Sequence, residues 1–350
     1  AVAQPGAWAD GTAVGFRLPD PDGRLAGVRL QQDVRIPGDL LDFHRHGDTW
    51  ELLIDRPPVG RMEYLLELHH PGGGVQTVTD PGNPRQASGA FGPKSVLEFP
   101  SYTPPGWLTA PAPPGRSRTA DLPVRFLDGP VQVTTWAPAD AADDEWLPML
   151  VAHDGPEYDT LASLTQYLSA GVAAGWLPRL RAALLSPGPR DRWYSASARY
   201  ARALQLELIP ALAGELAVST WIGMGASLGA LAMLHAHSRH PGMLDALFLQ
   251  SGSFFSPRFD SMERRFPYYR RITWFVADTH HGGLPAQPLT AVLTCGVIEE
   301  NLQNNRLMTA TLQAAGYPAE LHEVPDMHNF TAWRDAFDPH LTRLLQQVAG

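Results

Sequence analysis

A glycine-flanked serine is the residue of this chain best suited to covalent chemistry. Ser227 lies in Gly225-Ala226-Ser227-Leu228-Gly229, directly after the apolar run 216–224 and directly before the helix-like run 230–237. A sharp turn from strand to helix forces the serine into a strained backbone conformation, which flanking glycines make sterically possible, and exposes its hydroxyl. We therefore predict that Ser227 is a nucleophile. The simpler alternative is a serine that caps the following helix.

A nucleophilic serine needs a base to take its proton, and the base needs an acid to orient it. His328 follows the predicted strand 320–324, and Glu299 follows the predicted strand 289–295. Functional residues of open α/β sheets gather at the carboxyl ends of the strands, so we expect the three side chains at one edge. We predict that His328 accepts the Ser227 proton and that Glu299 stabilises the imidazolium. Other carboxylates remain open as the acid: Glu300, Asp326 and Asp278.

Attack on a carbonyl also requires donors for the negative charge that develops on its oxygen. We assign one donor to the backbone N–H of Leu228, the residue after the nucleophile. We expect the second from the loop 153–158, which follows the third strand of the predicted sheet. Pro156 has no N–H, so this donor is either Gly155 or Glu157.

The elements that position these residues follow an α/β pattern from Leu122 onward. Apolar strands alternate with helical segments, which is typical of a mostly parallel sheet covered on both faces. The predicted strands are 122–127, 131–136, 149–153, 180–185, 216–224, 246–250, 289–295 and 320–324.

The first part of the chain has a different pattern. Short alternating runs are broken by clusters of Pro, Gly and Asp, which predicts an all-β, immunoglobulin-like antiparallel sandwich. The runs are 13–18, 28–34, 50–54 and 63–69. We predict a β-sandwich domain over 1–110, a stiff Pro-rich linker over 111–120 and a catalytic domain over 121–350.

Composition excludes several classes of protein. The formal net charge of −9 argues against a nucleic-acid partner, which would require clustered cations. Cys295 is the single cysteine, so neither a disulfide within the chain nor a thiolate metal cluster is available. We predict no cofactor and no metal, since the adjacent His280 and His281 lack a partnered carboxylate pattern.

The sequence also carries signals about location. The sequence contains no run of about 18 apolar residues, so it predicts no membrane span. The start, Ala1-Val2-Ala3-Gln4, shows no basic-then-apolar leader. We therefore predict a cytoplasmic protein without a membrane partner, and leave open an earlier removed leader and the oligomeric state.

Residues 122–345 resemble the enterochelin-esterase-like branch of the α/β hydrolases, in which serine, acid and histidine follow in that chain order. The resemblance is carried by His153-Asp154-Gly155-Pro156-Glu157-Tyr158, Gly223 to Gly229, Gln250-Ser251-Gly252-Ser253, Thr294 to Asn301 with Asn305-Arg306, and His328 to Arg334. It implies an α/β-hydrolase fold and hydrolysis of a carboxylic ester through an acyl-enzyme.

The first domain resembles the early-set sandwich found in such esterases. Its similarity is carried by Thr49-Trp50-Glu51, Met62-Glu63-Tyr64, Asp80 to Pro84 and Ser95 to Glu98. The resemblance implies a module over the active site that helps to hold substrate. The alternative is a stabilising lid that touches no ligand.

The resemblance further implies a catecholate trilactone siderophore as the model substrate, and hence a role in iron acquisition. Two Arg- and aromatic-rich segments, 190–194 and 264–271, are candidates for binding such an anionic aromatic ester. We predict substrate contacts from Arg190, Arg192, Trp193, Arg264 and Tyr268. The alternative is that these arginines pair with local carboxylates.

Other functions on the same scaffold remain open. Members of the wider family act on feruloyl and acetyl esters, and some relatives transfer the acyl group to another acceptor. A binding protein without catalysis is the alternative from a different class.

Overall fold

The structure is a computed structural model that describes residues 5–33 and 36–349. The predicted features at residues 1–4 and at Val34 lie outside the described residues. The chain divides into two compact units. The first unit comprises residues 1–103, 296–299 and 325–332, and the second comprises 104–295, 300–324 and 333–350.

The first unit contains two antiparallel sheets. One sheet has the strand order β1-β2-β5-β4, and the other has the order β3-β6-β9-β8 with β7 paired to β6. The strands are β1 (Gly6–Ala9), β2 (Ala13–Pro19), β3 (Gly27–Gln32), β4 (His44–His46), β5 (Thr49–Asp55), β6 (Arg61–His69), β7 (Val75–Val78), β8 (Gln86–Ala87) and β9 (Lys94–Glu98). A short 3-10 helix covers Gly38–Leu40.

The two sheets share one apolar core, as the alternating sequence predicts. Val14, Phe16 and Leu18 of β2 are buried in it together with Leu30 of β3. Because side chains alternate across a strand, these residues form the inward face of each sheet. Met327, far along the chain, is also buried in this core.

The second unit is built on an eight-stranded sheet with the order β10-β11-β13-β12-β14-β15-β16-β17. The strands are β10 (Arg116–Leu122), β11 (Val131–Ala137), β12 (Leu147–His153), β13 (Arg181–Leu185), β14 (Val218–Ala226), β15 (Ala246–Gln250), β16 (Thr290–Gly296) and β17 (Ala319–Val324). We predicted a mostly parallel sheet, and the sheet is mixed. Strands β13, β12, β14, β15 and β16 pair in parallel, whereas β10 with β11 and β11 with β13 are antiparallel.

One predicted strand is wrong, and the predicted linker is shorter than expected. Residues 116–122 form β10, so 116–120 belong to the sheet instead of to a linker over 111–120. In place of the predicted strand 122–127, Val124 and Leu127 pack their side chains into the core beside the sheet. The edge strand β10 is mostly exposed and polar, so it lacks the apolar signal of a central strand.

Helices flank this sheet. They are α1 (Gly155–Ala162), α2 (Leu164–Ala174), α3 (Arg190–Tyr194), α4 (Ala198–Ala203), α5 (Ile209–Glu215), α6 (Leu228–Arg239), α7 (Tyr269–His280), α8 (Leu302–Ala314), α9 (Phe330–Asp335) and α10 (Thr342–Ala349). The 3-10 helices Gly106–Thr109 and Ser261–Arg265 and the π-helical turns Leu204–Leu208 and Phe337–Leu341 complete the unit. Among residues 5–33 and 36–349, no helix combines the length and apolar character that crossing a bilayer requires.

Burial explains why the central elements are apolar. All seven residues of β12 are buried, as are ten of the twelve residues of α6. A strand that is covered on both faces has no solvent side on which to place polar residues. The central strands therefore fall where the apolar runs predict them.

Candidate active site

Ser227 occupies a strained turn between β14 and α6. Its φ of 55° and ψ of −121° fall in a region that L-residues rarely adopt, which typically costs on the order of 1–3 kcal/mol. Neighbouring backbone holds the turn, because the N–H of Ser227 donates to the carbonyl of Gln250 at 2.9 Å. The N–H of Ser253 in turn donates to the Ser227 carbonyl at 3.1 Å. The local geometry is that of the elbow expected from the sequence.

The glycines of the motif are required by space. A Cβ on Gly225 would lie 2.5 Å from the carbonyl carbon of Gly229, which is backbone and cannot move aside. A Cβ on Gly229 would lie 3.2 Å from a carboxylate oxygen of Asp154. The first turn of α6 therefore packs against β14 and Asp154 at distances that only small residues allow.

A second serine contacts the candidate nucleophile. The Oγ atoms of Ser227 and Ser253 lie 3.0 Å apart, and the Ser253 residue is 2% exposed. Ser253 belongs to the segment 251–253 that follows β15. Asn305 fixes this segment, since its side chain accepts from the Gly252 N–H and donates to the Gly252 carbonyl, each at 3.0 Å.

The predicted donors for a carbonyl oxygen lie in the first turns of two helices. Leu228 begins α6, and Gly155 begins α1 with Glu157 in its first turn. The segment predicted as the loop 153–158 therefore becomes helical at Gly155. Pro156 fits in this first turn because an N–H group at that position would have no partner within the helix. First-turn N–H groups have no partner within the helix and carry partial positive charge.

Close packing fixes the start of α1. A Cβ on Gly155 would lie 2.3 Å from the Leu184 Cα, so the position admits only glycine. The Glu157 carboxyl is partly buried, and burial, with a smaller contribution from Asp154, raises its pKa. Its Oε2 is buried without a hydrogen-bond partner.

Arg190 forms an ion pair with a carboxylate of the same unit. Its Nε and Nη2 atoms lie 2.8 Å from the two carboxylate oxygens of Asp154, which is 3% exposed. This bidentate pair fixes the end of β12 beside the elbow. Next to it, burial lowers the pKa of His153 to about 4, so the ring is neutral and its Nδ1 donates to the Gly229 carbonyl at 2.9 Å.

The remaining predicted substrate contacts fall in different environments. Arg192 pairs with Asp128 at 2.6 Å, as the alternative of local carboxylate pairing predicted. Trp193 is 4% exposed and stacks on Tyr200, so it has no open face for a ligand. Arg264 is exposed on the 3-10 helix Ser261–Arg265.

Tyr268 is partly exposed, and the guanidinium of Arg271 lies over its ring at 4.5 Å. Among the predicted substrate residues, Arg264 and Tyr268 therefore keep surface that a ligand could reach.

His328 and Glu299 form a hydrogen-bonded pair in the first unit. The Nδ1 of His328 lies 2.7 Å from Oε2 of Glu299, whose side chain is 2% exposed. Oε1 of Glu299 accepts from the Gly296 N–H at 2.7 Å. A ring that donates from Nδ1 keeps Nε2 as its basic nitrogen. The imidazole is 35% exposed.

The other carboxylates left open as the acid have different surroundings. Glu300 and Asp278 are exposed. Asp326 is 6% exposed, and its carboxylate is 3.6 Å from Nη1 of Arg61. Glu299 is thus the carboxylate of this set for which a hydrogen bond to His328 is observed.

Two residues that contact the candidate site residues or their neighbours were not singled out from the sequence: Ser253, beside Ser227, and Arg61, beside Asp326 and Asn329. Ser253 lies in a run that carried the family resemblance, and its position directly after a buried strand was an available signal. Arg61 opens a sandwich strand, and nothing in its local sequence indicates its contacts with residues near 328. Among the described parts of the chain, no group of His, Cys, Asp and Glu side chains could hold a metal ion.

Comparison with known proteins gives a family match. Residues 126–344 match the family model described as "Putative esterase". A search of curated protein sequences gave no match.

Solved structures share the fold. The enterobactin esterase FES from Shigella flexneri in the presence of enterobactin has 20% identity and a TM-score of 0.79, over 99% of this chain and 96% of that chain. The ferric enterobactin esterase from Salmonella typhimurium has 20% identity and a TM-score of 0.79, over 99% and 97%. S-formylglutathione hydrolase (FrmB) from Staphylococcus aureus has 12% identity and a TM-score of 0.51, over 69% and 99%.

Proposed function

This chain belongs to the esterase family and is a carboxylic-ester hydrolase, and we propose that it works through an acyl-enzyme on Ser227. In this proposal His328 is the base and Glu299 orients it. The observation that carries the proposal is the strained backbone of Ser227 at the junction of β14 and α6. Such strain persists where surrounding structure enforces it, and it clusters at functional sites.

Chain connectivity supports a meeting of the three side chains. Glu299 comes three residues after β16 ends at Gly296, and His328 comes four residues after β17 ends at Val324. Ser227 follows β14, which is two positions from β16 in the sheet order. Neighbouring strands are about 4.8 Å apart, so a separation of about 10 Å lies within reach of segments of this length.

The proposed chemistry proceeds in two halves. In the first, Nε2 of His328 takes the Ser227 proton as Oγ attacks the ester carbonyl, and the imidazolium then protonates the leaving alcohol. In the second, His328 takes a proton from water, which attacks the acyl carbon; the bond from that carbon to Oγ then breaks, the imidazolium returns the proton to Oγ, and the acid is released.

First-turn N–H groups of α6 and α1 would stabilise the oxyanion in both halves. The proposed donors are Leu228 and either Gly155 or Glu157. Loss of one such donor typically lowers turnover about 10²- to 10³-fold. No cofactor takes part in the proposed cycle, because its only second reactant is water.

We further propose that the substrate is an anionic aromatic ester of the catecholate trilactone type. The proposal draws on the enterobactin esterases, whose fold matches over 99% of this chain, against 69% for FrmB. It also draws on the segment 256–271, which leads away from Ser253 and carries several exposed arginines. These are Arg258, Arg264, Arg265 and Arg270. Arginine binds oxyanions and stacks on aromatic rings.

A substrate panel tests this specificity. Hydrolysis of enterobactin, a feruloyl ester and p-nitrophenyl acetate is compared for the wild type, Arg264→Ala and Arg239→Ala. Arg239 is an exposed control at the far end of α6, about 18 Å from the elbow. We expect the enterobactin to p-nitrophenyl acetate ratio of kcat/KM to fall at least fivefold in Arg264→Ala and to stay unchanged in Arg239→Ala.

The same panel separates the alternatives. A preference for the feruloyl ester would replace the trilactone proposal with the feruloyl one. Equal use of all three esters with no effect of Arg264 would overturn the anionic-substrate proposal. Full activity in Ser227→Ala would overturn the acyl-enzyme itself.

A further inference from the structure

The segment that carries His328 is anchored in the N-terminal sandwich. We call residues 325–332 the histidine loop; by its contacts it belongs to the same unit as residues 1–103. The Gly60 N–H donates to the carbonyl of Pro325 at 2.7 Å. Met327, directly before the histidine, is 1% exposed and lies in the sandwich core. Backbone bonding and apolar packing therefore both hold this loop against the sandwich.

The carboxylate partner is held in the same place. Residues 296–299 also belong to this unit, and Val297 and Ile298 pack against the sandwich core. Gly296 approaches the histidine loop so closely that a Cβ there would lie 2.4 Å from the carbonyl oxygen of Asp326. The loops of Glu299 and His328 are thus fixed to each other and to the sandwich.

A buried arginine joins this arrangement. Arg61, the first residue of β6, is 2% exposed and pairs with Glu63 at 2.6 Å. Its Nη1 donates to Oδ1 of Asn329 at 3.2 Å and lies 3.6 Å from Oδ2 of Asp326. Burial of a guanidinium destabilises the folded state unless the group is paired and hydrogen-bonded. Two of its partners are residues of the histidine loop.

Those two partners flank the histidine. Asp326 is two residues before His328 and Asn329 is one residue after it. Asp326 accepts from the N–H of Met327 at 2.8 Å, and Asn329 accepts from the N–H of Ala332 at 2.8 Å. Fixing both side chains fixes the backbone on each side of the histidine, and with it the direction of the imidazole.

We propose that Arg61 is a positioning residue, through which the N-terminal sandwich holds the His328–Glu299 pair in its working orientation. This inference rests on the proposed function of that pair. It assigns the sandwich a part in the chemistry that is distinct from covering the site or holding substrate. A misplacement of a catalytic group by about 1 Å can cost about 10²-fold in rate, so the effect belongs in kcat.

The test compares Arg61→Ala and Arg61→Lys with Tyr64→Phe. Tyr64 is the matched control, because it lies on the same strand, is fully buried and bonds Asp80 of the sandwich at 2.7 Å. Each variant is assayed on p-nitrophenyl acetate for kcat, KM and the pH dependence of kcat, and thermal unfolding reports its folded state.

We expect kcat of Arg61→Ala to fall about 10²-fold with KM within threefold. We also expect the limb of its kcat profile that reports the base to shift along the pH axis, since a less constrained histidine loop weakens the bond between the imidazole and Glu299. Arg61→Lys, which keeps the charge but not the fork of donors, should recover part of kcat. Tyr64→Phe should lower the unfolding midpoint while kcat of the folded protein stays within twofold.

A folded Arg61→Ala with kcat within twofold of wild type would overturn the inference. An equal loss of kcat in Tyr64→Phe and Arg61→Ala would also overturn it, since any disturbance of the sandwich core would then lower kcat. If Arg61→Ala does not fold, Asn329→Ala replaces it in the comparison. We expect its kcat to fall at least fivefold, and a wild-type kcat in this variant would overturn the inference. Ser227→Ala distinguishes failure of this inference from failure of the proposed function. If Ser227→Ala keeps full activity, the proposed function is wrong. If Ser227→Ala is inactive and Arg61→Ala is as active as wild type, only this inference is wrong.

Discussion

Glu299 is bonded through both carboxylate oxygens, which determines what it can do. Oε1 accepts the Gly296 N–H and Oε2 binds Nδ1 of His328. A carboxylate held at both ends cannot rotate away, so it fixes the ring orientation and the tautomer together. Its side chain is 2% exposed, so water has little access to the carboxylate. These are the requirements for the partner of a catalytic base.

We expect Glu299→Gln to lower kcat by about 10²- to 10⁴-fold, because an amide no longer fixes the required tautomer. The neighbouring Glu300→Gln is the control, since Glu300 is exposed, and its kcat should stay within twofold. Steady-state kinetics on p-nitrophenyl acetate measure both. Equal losses in the two variants would contradict the assignment of Glu299.

Sequence reasoning predicted Ser227 as the nucleophile, His328 as the base and Glu299 as the acid, with other carboxylates left open for the acid. A motif reports which residues are near each other along the chain, whereas the direction of a carboxylate depends on contacts such as the Gly296 N–H. Arg61 could not be predicted at all, because its partners in the histidine loop are more than 260 positions away.

The β14–α6 junction is the element on which the proposed nucleophile depends. Its geometry requires Gly225, where a Cβ would lie 2.5 Å from the backbone of Gly229. Strands predicted from apolar runs, such as β12 and β15, were found close to their expected bounds because central strands are buried on both faces. The polar edge strand β10 was missed because it has no apolar signal. The helical start at Gly155-Pro156 was missed although Asp154, Pro156 and Glu157 are residue types typical of a helix N-terminus.

We expect Gly225→Ala to cost about 1–3 kcal/mol of stability through overpacking and to lower activity more than tenfold through distortion of the elbow. Gly214→Ala in α5 is the control, because a Cβ there meets no atom within 4 Å. It should be no less stable than wild type and fully active. Urea denaturation and ester hydrolysis measure the two effects. Wild-type behaviour of Gly225→Ala would mean that the elbow tolerates a wider turn.

The division of the molecule into two units was partly predictable. The change from alternating runs to strand and helix patterns indicated a sandwich followed by an α/β part. The sequence could not show that residues 296–299 and 325–332 belong with residues 1–103, because local patterns carry no information on distant contacts. The predicted division into a sandwich domain (1–110) and a catalytic domain (121–350) remains our proposal, with β10 extending the second part back to Arg116. By contacts, the segments 296–299 and 325–332 group with residues 1–103.

Buried histidines contribute to the response of the whole protein to acid. Burial lowers the pKa of His153 to about 4, and chiefly burial lowers the pKa of His235 to about 3; burial also lowers the pKa of His237 to about 4. In the unfolded chain each ring takes up a proton near pH 6.5. The unfolded state therefore binds more protons between about pH 4 and 6.5, and stability falls as the pH falls through that window.

We expect the free energy of unfolding to decrease from pH 7 to pH 5 by on the order of 1 kcal/mol per pH unit for each such histidine. His235→Leu removes one titrating ring from the core and should make this dependence less steep. Urea denaturation at pH 7.0, 6.0 and 5.0 gives the slopes. Stability that stays constant or rises toward pH 5 would contradict the account of neutral buried rings.

The most direct test of the account is labelling with a fluorophosphonate probe, followed by mass spectrometry of the peptides. Wild-type protein should take one label, on the peptide that contains Ser227. Ser227→Ala should take none, and His328→Ala should label at least 10²-fold more slowly, because its serine lacks the base. A label on a different residue, or equal labelling rates in wild type and His328→Ala, would contradict the claim that Ser227 is a nucleophile activated by His328.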